Sequence, residues 1–165
     1  MKCSLIATLC SLFAAPLMFA ADIPQSLTVE TPDGWNVKYR GDNGIQHYAV
    51  TRNAGSSDLL MFSPWPVKDN NRKQIPDLVK QLADGFVDMV DKSNGLITLK
   101  ARKYKVEKIE GDPFSGSYVL FAIQGGVMQA MFMVGDEEGI WNGQFTGTSK
   151  GWAEALAILK GLKKR

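Results

Sequence analysis

Three methionines, Met128, Met131 and Met133, fall inside the run VMQAMFMV, and thioethers are ligands for Cu(I). In an extended chain Met131 and Met133 share one face, while Met128 shares the other with Ala130, Phe132 and Val134. Two of the three could therefore hold one ion, with Met61 or His47 as a further ligand. Against this weak metal set of Met131, Met133 and His47 stands methionine as adaptable core filler, which the apolar character of the whole run favours. His47, in IQHYAVTR, is the only histidine. A Ser-His-Asp arrangement needs a nucleophile setting; the chain's one G-x-S-x-G string, Gly147-Thr148-Ser149-Lys150-Gly151, is read as a helix cap and not as a nucleophile elbow. Acid and base work would fall to carboxylates, and these sit in turns and on a helix surface. The glycines match neither G-x-x-x-x-G-K-[ST] nor G-x-G-x-x-G. Gly147-Thr148-Ser149-Lys150-Gly151 opens a helix and could seat an anion on free amides, although helix capping is its ordinary reading. The expectation is no catalytic residue, no cofactor and no metal.

Two stretches offer contact surface instead. LMFSPWPVKDNNRK holds Phe62 and a tryptophan, Trp65, between two prolines, and rigid amphipathic aromatics anchor partners well. The competing reading has Trp65 closing one end of the core. Lys100, Arg102, Lys103, Lys105 and Lys108 make the segment after the first helix basic. That stripe suits an acidic partner, or it is a solvated face or an edge strand guarded by lysines. The candidate contacts are Phe62, Trp65, Lys100, Arg102, Lys103 and Lys105.

The amino-terminal stretch MKCSLIATLCSLFAAPLMFAAD has a lysine near its start, an apolar run and small residues before the first acid. This is the pattern of a signal peptide over residues 1–21, cleaved after Ala20 or Ala21. The run is short for a bilayer span, which needs about 20 apolar residues. Both cysteines, Cys3 and Cys10, fall in the segment removed, so the exported chain has no thiol chemistry and relies on packing. Loss of Lys2 leaves 18 Lys+Arg against 17 Asp+Glu, a formal charge of +1, which argues against nucleic acid as a partner. Residues 22–165 suffice for one domain with one substantial core.

The elements that must position these residues follow from periodicity. Leu27 and Val29, then Trp35, Val37 and Tyr39, alternate on either side of Thr31-Pro32-Asp33-Gly34 and predict a hairpin. IQHYAVTR and LLMF predict third and fourth strands. IPDLVKQLADGFVDMVDK places Ile75, Leu78, Val79, Leu82, Phe86, Met89 and Val90 at helical spacing, with Pro76 in the first turn and aspartates opposite. ITLKARKYKVEKIE returns to a period of two, with a change of parity between Ala101 and Tyr104 that calls for a bulge or a break. SYVLFAIQ and VMQAMFMV flank Gly125-Gly126, which suits a two-residue hairpin turn. IWNGQFTG is a closing strand, and WAEALAILKGLKKR a last helix capped by Thr148 or Ser149. Strands, helix, strands, helix without regular alternation predicts an α+β domain. A single antiparallel sheet of about six to eight strands carries two main helices, one on each face or both on one.

This layout resembles the PsbP-like family, which includes PsbP, DcrB-like periplasmic proteins and a Ran-binding nuclear import factor. The resemblance rests on TPDGWNV, the amphipathic helix, GSYVLFAIQGG with a second apolar strand, IWNGQFTG and the WAEALAILKGLKK helix. It implies binding and assembly, with no particular ligand. The expected role is an exported, non-enzymatic binding or accessory protein of the bacterial envelope, periplasmic or secreted, contacting another envelope or periplasmic protein. A toxin-immunity role is a special case. The alternatives are a Met-based copper binder and an unrecognised hydrolase.

Overall fold

The computed structural model describes residues 27–42, 45–53, 55–65 and 72–165; the expected signal segment 1–21 lies outside them. The elements are β1 (Leu27–Thr28), β2 (Trp35–Asp42), β3 (Ile45–Arg52), β4 (Leu59–Trp65), a 3-10 turn at Arg72–Gln74, α1 (Ile75–Lys92), β5 (Glu107–Ile109), β6 (Ser115–Ala122), β7 (Met128–Gly135), β8 (Ile140–Gly147), α2 (Ser149–Lys160) and β9 (Lys163–Lys164). Seven strands form one antiparallel sheet in the order β2-β3-β4-β8-β7-β6-β5, and β1 and β9 pair as a separate ribbon. The fold is α+β, with two helices packed on the sheet, one on each face.

Alternation along the central strands sorts the core into two layers. On one face Ile75, Val79, Ala83, Phe86 and Val90 of α1 pack against Val119, Phe121, Met131, Met133 and Ile140. On the other, Trp152, Ala155, Ile158 and Leu159 of α2 meet Val50, Leu60, Phe62, Phe132, Trp141 and Phe145. Each fully buried side chain of this size contributes about 1.5–3 kcal/mol, so the two layers supply the main driving force. The β6–β7 hairpin does not use the expected two-residue turn: the Ile123 N–H donates to the Val127 carbonyl at 2.8 Å, so the connection is Gln124-Gly125-Gly126, with Gly125 (φ +91°) and Gly126 (φ +83°) in the left-handed region that glycine adopts without strain.

Four further expectations need correction. β1 does not form a hairpin with β2: Leu27 pairs with Lys164 and Thr28 with Lys163. The Tyr48 hydroxyl accepts from the Leu27 N–H (3.0 Å) and donates to its carbonyl (3.1 Å), which anchors β1 over the sheet face and out of the sheet. β4 continues past LLMF through Trp65, with Pro64 opposite Trp141. The β3–β4 register runs only to Tyr48 opposite Phe62, so the donor that Pro64 lacks falls beyond that pairing. The segment 97–106 is not a strand apart from one bridge, Leu99 to Ile123. It turns Ile97, Leu99, Tyr104 and Val106 onto the α1 layer, and the parity change is a break. Finally, α2 ends at Lys160, after which Leu162 is fully buried and Lys163 and Lys164 extend as β9.

Candidate functional site

Where the Asp33-Gly34 turn, the Arg52–Asp58 connection and the start of α2 meet, an open concavity of ≈ 570 Å³ is lined by polar residues including Asp33, Arg52, Ser56, Asp58 and Thr148. Its floor is the Asp58 carboxylate, 1% exposed. Thr148 donates to Asp58 Oδ1 from its backbone N–H at 2.7 Å and from its hydroxyl at 3.0 Å, and Arg52 Nη1 donates to Oδ2 at 3.2 Å. Burial alone would raise the Asp58 carboxyl, but the hydrogen bonds from Thr148, Ser56 and Arg52 outweigh it and hold the group below the usual carboxylate range. The second arm of the Arg52 fork donates to Glu154 Oε1 at 2.8 Å, and Glu154 Oε2 accepts from Trp35 Nε1 at 2.7 Å. The guanidinium also lies 5.9 Å from the Trp35 ring centroid.

Two glycines make this approach feasible. A Cβ on Gly151 would collide with the Asp58 carboxylate, and one on Gly147 would lie 2.8 Å from Asp58 Cα and 2.7 Å from Phe145 Cζ. Thr148 is the N-cap of α2, its hydroxyl accepting from the Gly151 N–H at 3.0 Å. The helix start that could seat an external anion is thus occupied by an internal one. Arg52 bridges the Asp58 and Glu154 carboxylates, so the concavity is a structural joint between the β3–β4 connection, β2 and α2. Asp136 does similar work at the β7–β8 turn. Its carboxylate accepts from the Glu138 and Gly139 amides and pairs with Lys164 at 3.0 Å.

The methionine set does not converge. Met131 is 6% exposed and Met133 fully buried under α1, while Met128 packs in the opposite layer. His47, half-buried on β3, stands three strand spacings from β7, about 14 Å across the sheet, because β4 and β8 intervene. Met61 shares the Met131 face, but Gln144 lies between them in register. Among the described residues no hydrogen bond engages the His47 ring.

The contact candidates divide. Phe62 is 3% exposed, stacked on Tyr48 with centroids 5.1 Å apart, and is core. Trp65 is half-buried, opposite Ile140, and packs against the α1 layer. Lys100, Arg102, Lys103 and Lys105 are all exposed on the segment beside β6. Two backbone bonds of 2.8 Å, Lys100 N–H to Ala122 and Gln124 N–H to Thr98, hold that segment to the sheet edge. Arg102 pairs with Asp91 at 2.8 Å, and the Tyr104 hydroxyl donates to Asp84. Burial, with that bond second, pushes the Tyr104 phenol up to about 12. The acidic face of α1 is thereby partly matched by its neighbours, whereas Lys100, Lys103, Lys105 and Lys108 have no ion pair among the described residues.

Sequence reasoning missed Asp58, Arg52, Glu154 and the indole bond of Trp35. The available trace was the pair of glycines flanking the Thr148 cap.

No protein-family model and no curated protein matches the chain. It is similar to a crystal structure from Bacteroides thetaiotaomicron VPI-5482 at 12% identity and a TM-score of 0.41. The match covers 84% of this chain and 45% of that one, so this chain spans under half the length of that protein. No helix of the described residues is long and apolar enough to cross a membrane.

Proposed function

We propose that this chain is an exported, non-enzymatic binding or accessory protein that works through protein–protein contacts in the bacterial envelope. One observation carries the reading: Lys100, Lys103, Lys105 and Lys108 are exposed without an ion pair among the described residues, on a segment whose backbone is tied to the sheet and whose Tyr104 is tied to α1. A rigid, uncompensated cationic surface costs stability by self-repulsion and favours an acidic partner. The PsbP-like pattern of the sequence, with its association with assembly roles, points the same way. The polar concavity at Asp58 adds weight, since Asp58, Arg52 and Glu154 are engaged with one another and with Thr148 and Trp35 in holding the fold together.

Affinity capture from envelope extract tests the reading. The wild-type chain is expected to retain a partner that elutes with rising salt. A Lys100→Glu/Lys103→Glu/Lys105→Glu variant is expected to lose it, and Trp65→Ala to weaken it if the half-buried indole borders the contact. Recovery of no partner by wild type, or equal recovery by the triple variant, contradicts the assignment.

A further inference from the structure

β2 is an outer edge of the seven-stranded sheet, and its strand partner is β3 alone. The phase of that pairing is set by two bonds. The Asn53 N–H donates to the Gly34 carbonyl at 2.8 Å, whereas the Arg52 N–H turns the other way, to Asp58 at 3.2 Å. Backbone groups alternate in direction along an antiparallel strand. Residues 36 and 38 therefore turn their amides and carbonyls toward β3, and Val37 and Tyr39 turn theirs outward, away from the sheet.

The same two residues offer apolar side chains to water. Val37 is 37% and Tyr39 52% exposed, two of the three large exposed apolar side chains among the described residues. Both lie on the α2 face, and Tyr39 is already ordered against Tyr48, ring centroids 5.2 Å apart. Lys38 projects from the opposite face, exposed and without an ion pair among the described residues. The other sheet edge is built differently. There β5 is three residues long, and the lysine-bearing segment beyond it leaves only the Leu99 bridge. Such shortening and charge are ordinary guards against strand addition, and β2, eight residues long, lacks the first of them.

We propose that β2 receives an added strand from a protein partner: an extended segment with apolar residues at one parity, covering Val37 and Tyr39, and acidic residues at the other, facing Lys38. A second copy of this chain is disfavoured as the occupant. The antiparallel register that lays Val37 against Tyr39 of another copy sets Lys38 opposite Lys38, and like charges directly opposite repel. An acidic residue in that position attracts instead. The inference rests on the chain being a protein-binding module, but it uses the sheet edge opposite to the lysine segment.

The test uses the purified protein and three fluorescent ten-residue peptides: alternating Val-Glu, alternating Val-Lys, and Val-Glu with alternate amides N-methylated. Anisotropy reports binding, and amide hydrogen exchange reports where. The Val-Glu peptide is expected to bind and to slow exchange at Val37 and Tyr39 at least tenfold, and the N-methylated peptide to fail. Lys38→Glu, a surface change that leaves the core intact, is expected to weaken the Val-Glu peptide about two- to fivefold and to favour the Val-Lys peptide. Tyr39→Pro removes an outward donor without touching a β3 bond, and is expected to abolish binding. Absence of Val-Glu binding, binding without protection at Val37 and Tyr39, or indifference to Lys38→Glu overturns the inference, as does protection that grows with protein concentration alone, which identifies a second copy. A partner captured from envelope extract that still binds Tyr39→Pro protein sinks the edge-strand proposal and leaves the protein-binding reading standing.

Discussion

Gly151→Ala is the sharpest test of the joint beneath the concavity, because two effects of opposite sign compete. Alanine in place of glycine within a helix normally gains about 1 kcal/mol from propensity. Here the new Cβ would overlap the Asp58 carboxylate, which is 1% exposed and cannot swing into solvent. To make room it must retreat from Thr148, whose N–H and hydroxyl hold it at 2.7 and 3.0 Å. Hydrogen bonds to a charged group are worth about 1.5–3 kcal/mol each, so losing two of them outweighs the propensity gain and leaves a net destabilisation of about 3 kcal/mol. Urea unfolding followed by tryptophan fluorescence reads this directly. The double-mutant cycle makes it specific: in an Asp58→Ala background, itself destabilised, Gly151→Ala should become neutral or stabilising by up to about 1 kcal/mol. A Gly151→Ala protein as stable as wild type, or a cycle in which the two changes simply add, would refute the account of Asp58 as the occupant of the helix start.

Other measurements follow from the same contacts. Asp58 and Asp136 are held below the ordinary carboxylate range, against the upward push of burial, by hydrogen bonds and by Lys164 at Asp136. Their stabilisation is fully present above the unfolded carboxyl pKa of about 3.9 and is lost as pH falls through the folded values, so thermal melts should weaken below about pH 4 and Asp58→Asn should shrink that drop. A melting temperature independent of pH between 2 and 5 would contradict this. Absorbance titration should show two tyrosines ionising at about 12: Tyr104, raised by burial and Asp84, and Tyr118, raised by burial and the 2.7 Å bond to Glu107. Glu107→Gln should return Tyr118 toward the ordinary value of about 10, and its failure to do so would remove Glu107 from the explanation. Met133→Ala, at a fully buried position, should cost about 2–4 kcal/mol in denaturant unfolding, and Met128→Ala clearly less. Equal costs would mean that the two faces of β7 are not packed as described.

What the sequence discloses depends on whether the cause of a feature is local. α1 was legible over its whole length because its own repeat of Ile75, Val79, Phe86 and Val90 states which side is buried. The β6–β7 hairpin was legible because Gly125 and Gly126 sit between two apolar runs. Partners were not legible in the same way. Alternation at Leu27 announces a strand, yet nothing near it announces Lys164, and the deciding contact is the Tyr48 hydroxyl 21 residues away. The lysine segment misled for a related reason: Ile97, Leu99, Tyr104 and Val106 have strand spacing, but they serve a helix layer as well as a sheet edge. Asp58 was the hardest to see, since an aspartate ending NAGSSD reads as turn chemistry, and its partner Thr148 is 90 residues on. Even so, Gly147 and Gly151 bracket Thr148 with positions where any Cβ would strike Asp58. Neither has the positive φ that marks a turn glycine, so both are glycine because something must come close. Paired glycines around a helix cap, without turn geometry to explain them, are therefore a sequence trace of a buried anion supplied from elsewhere in the chain.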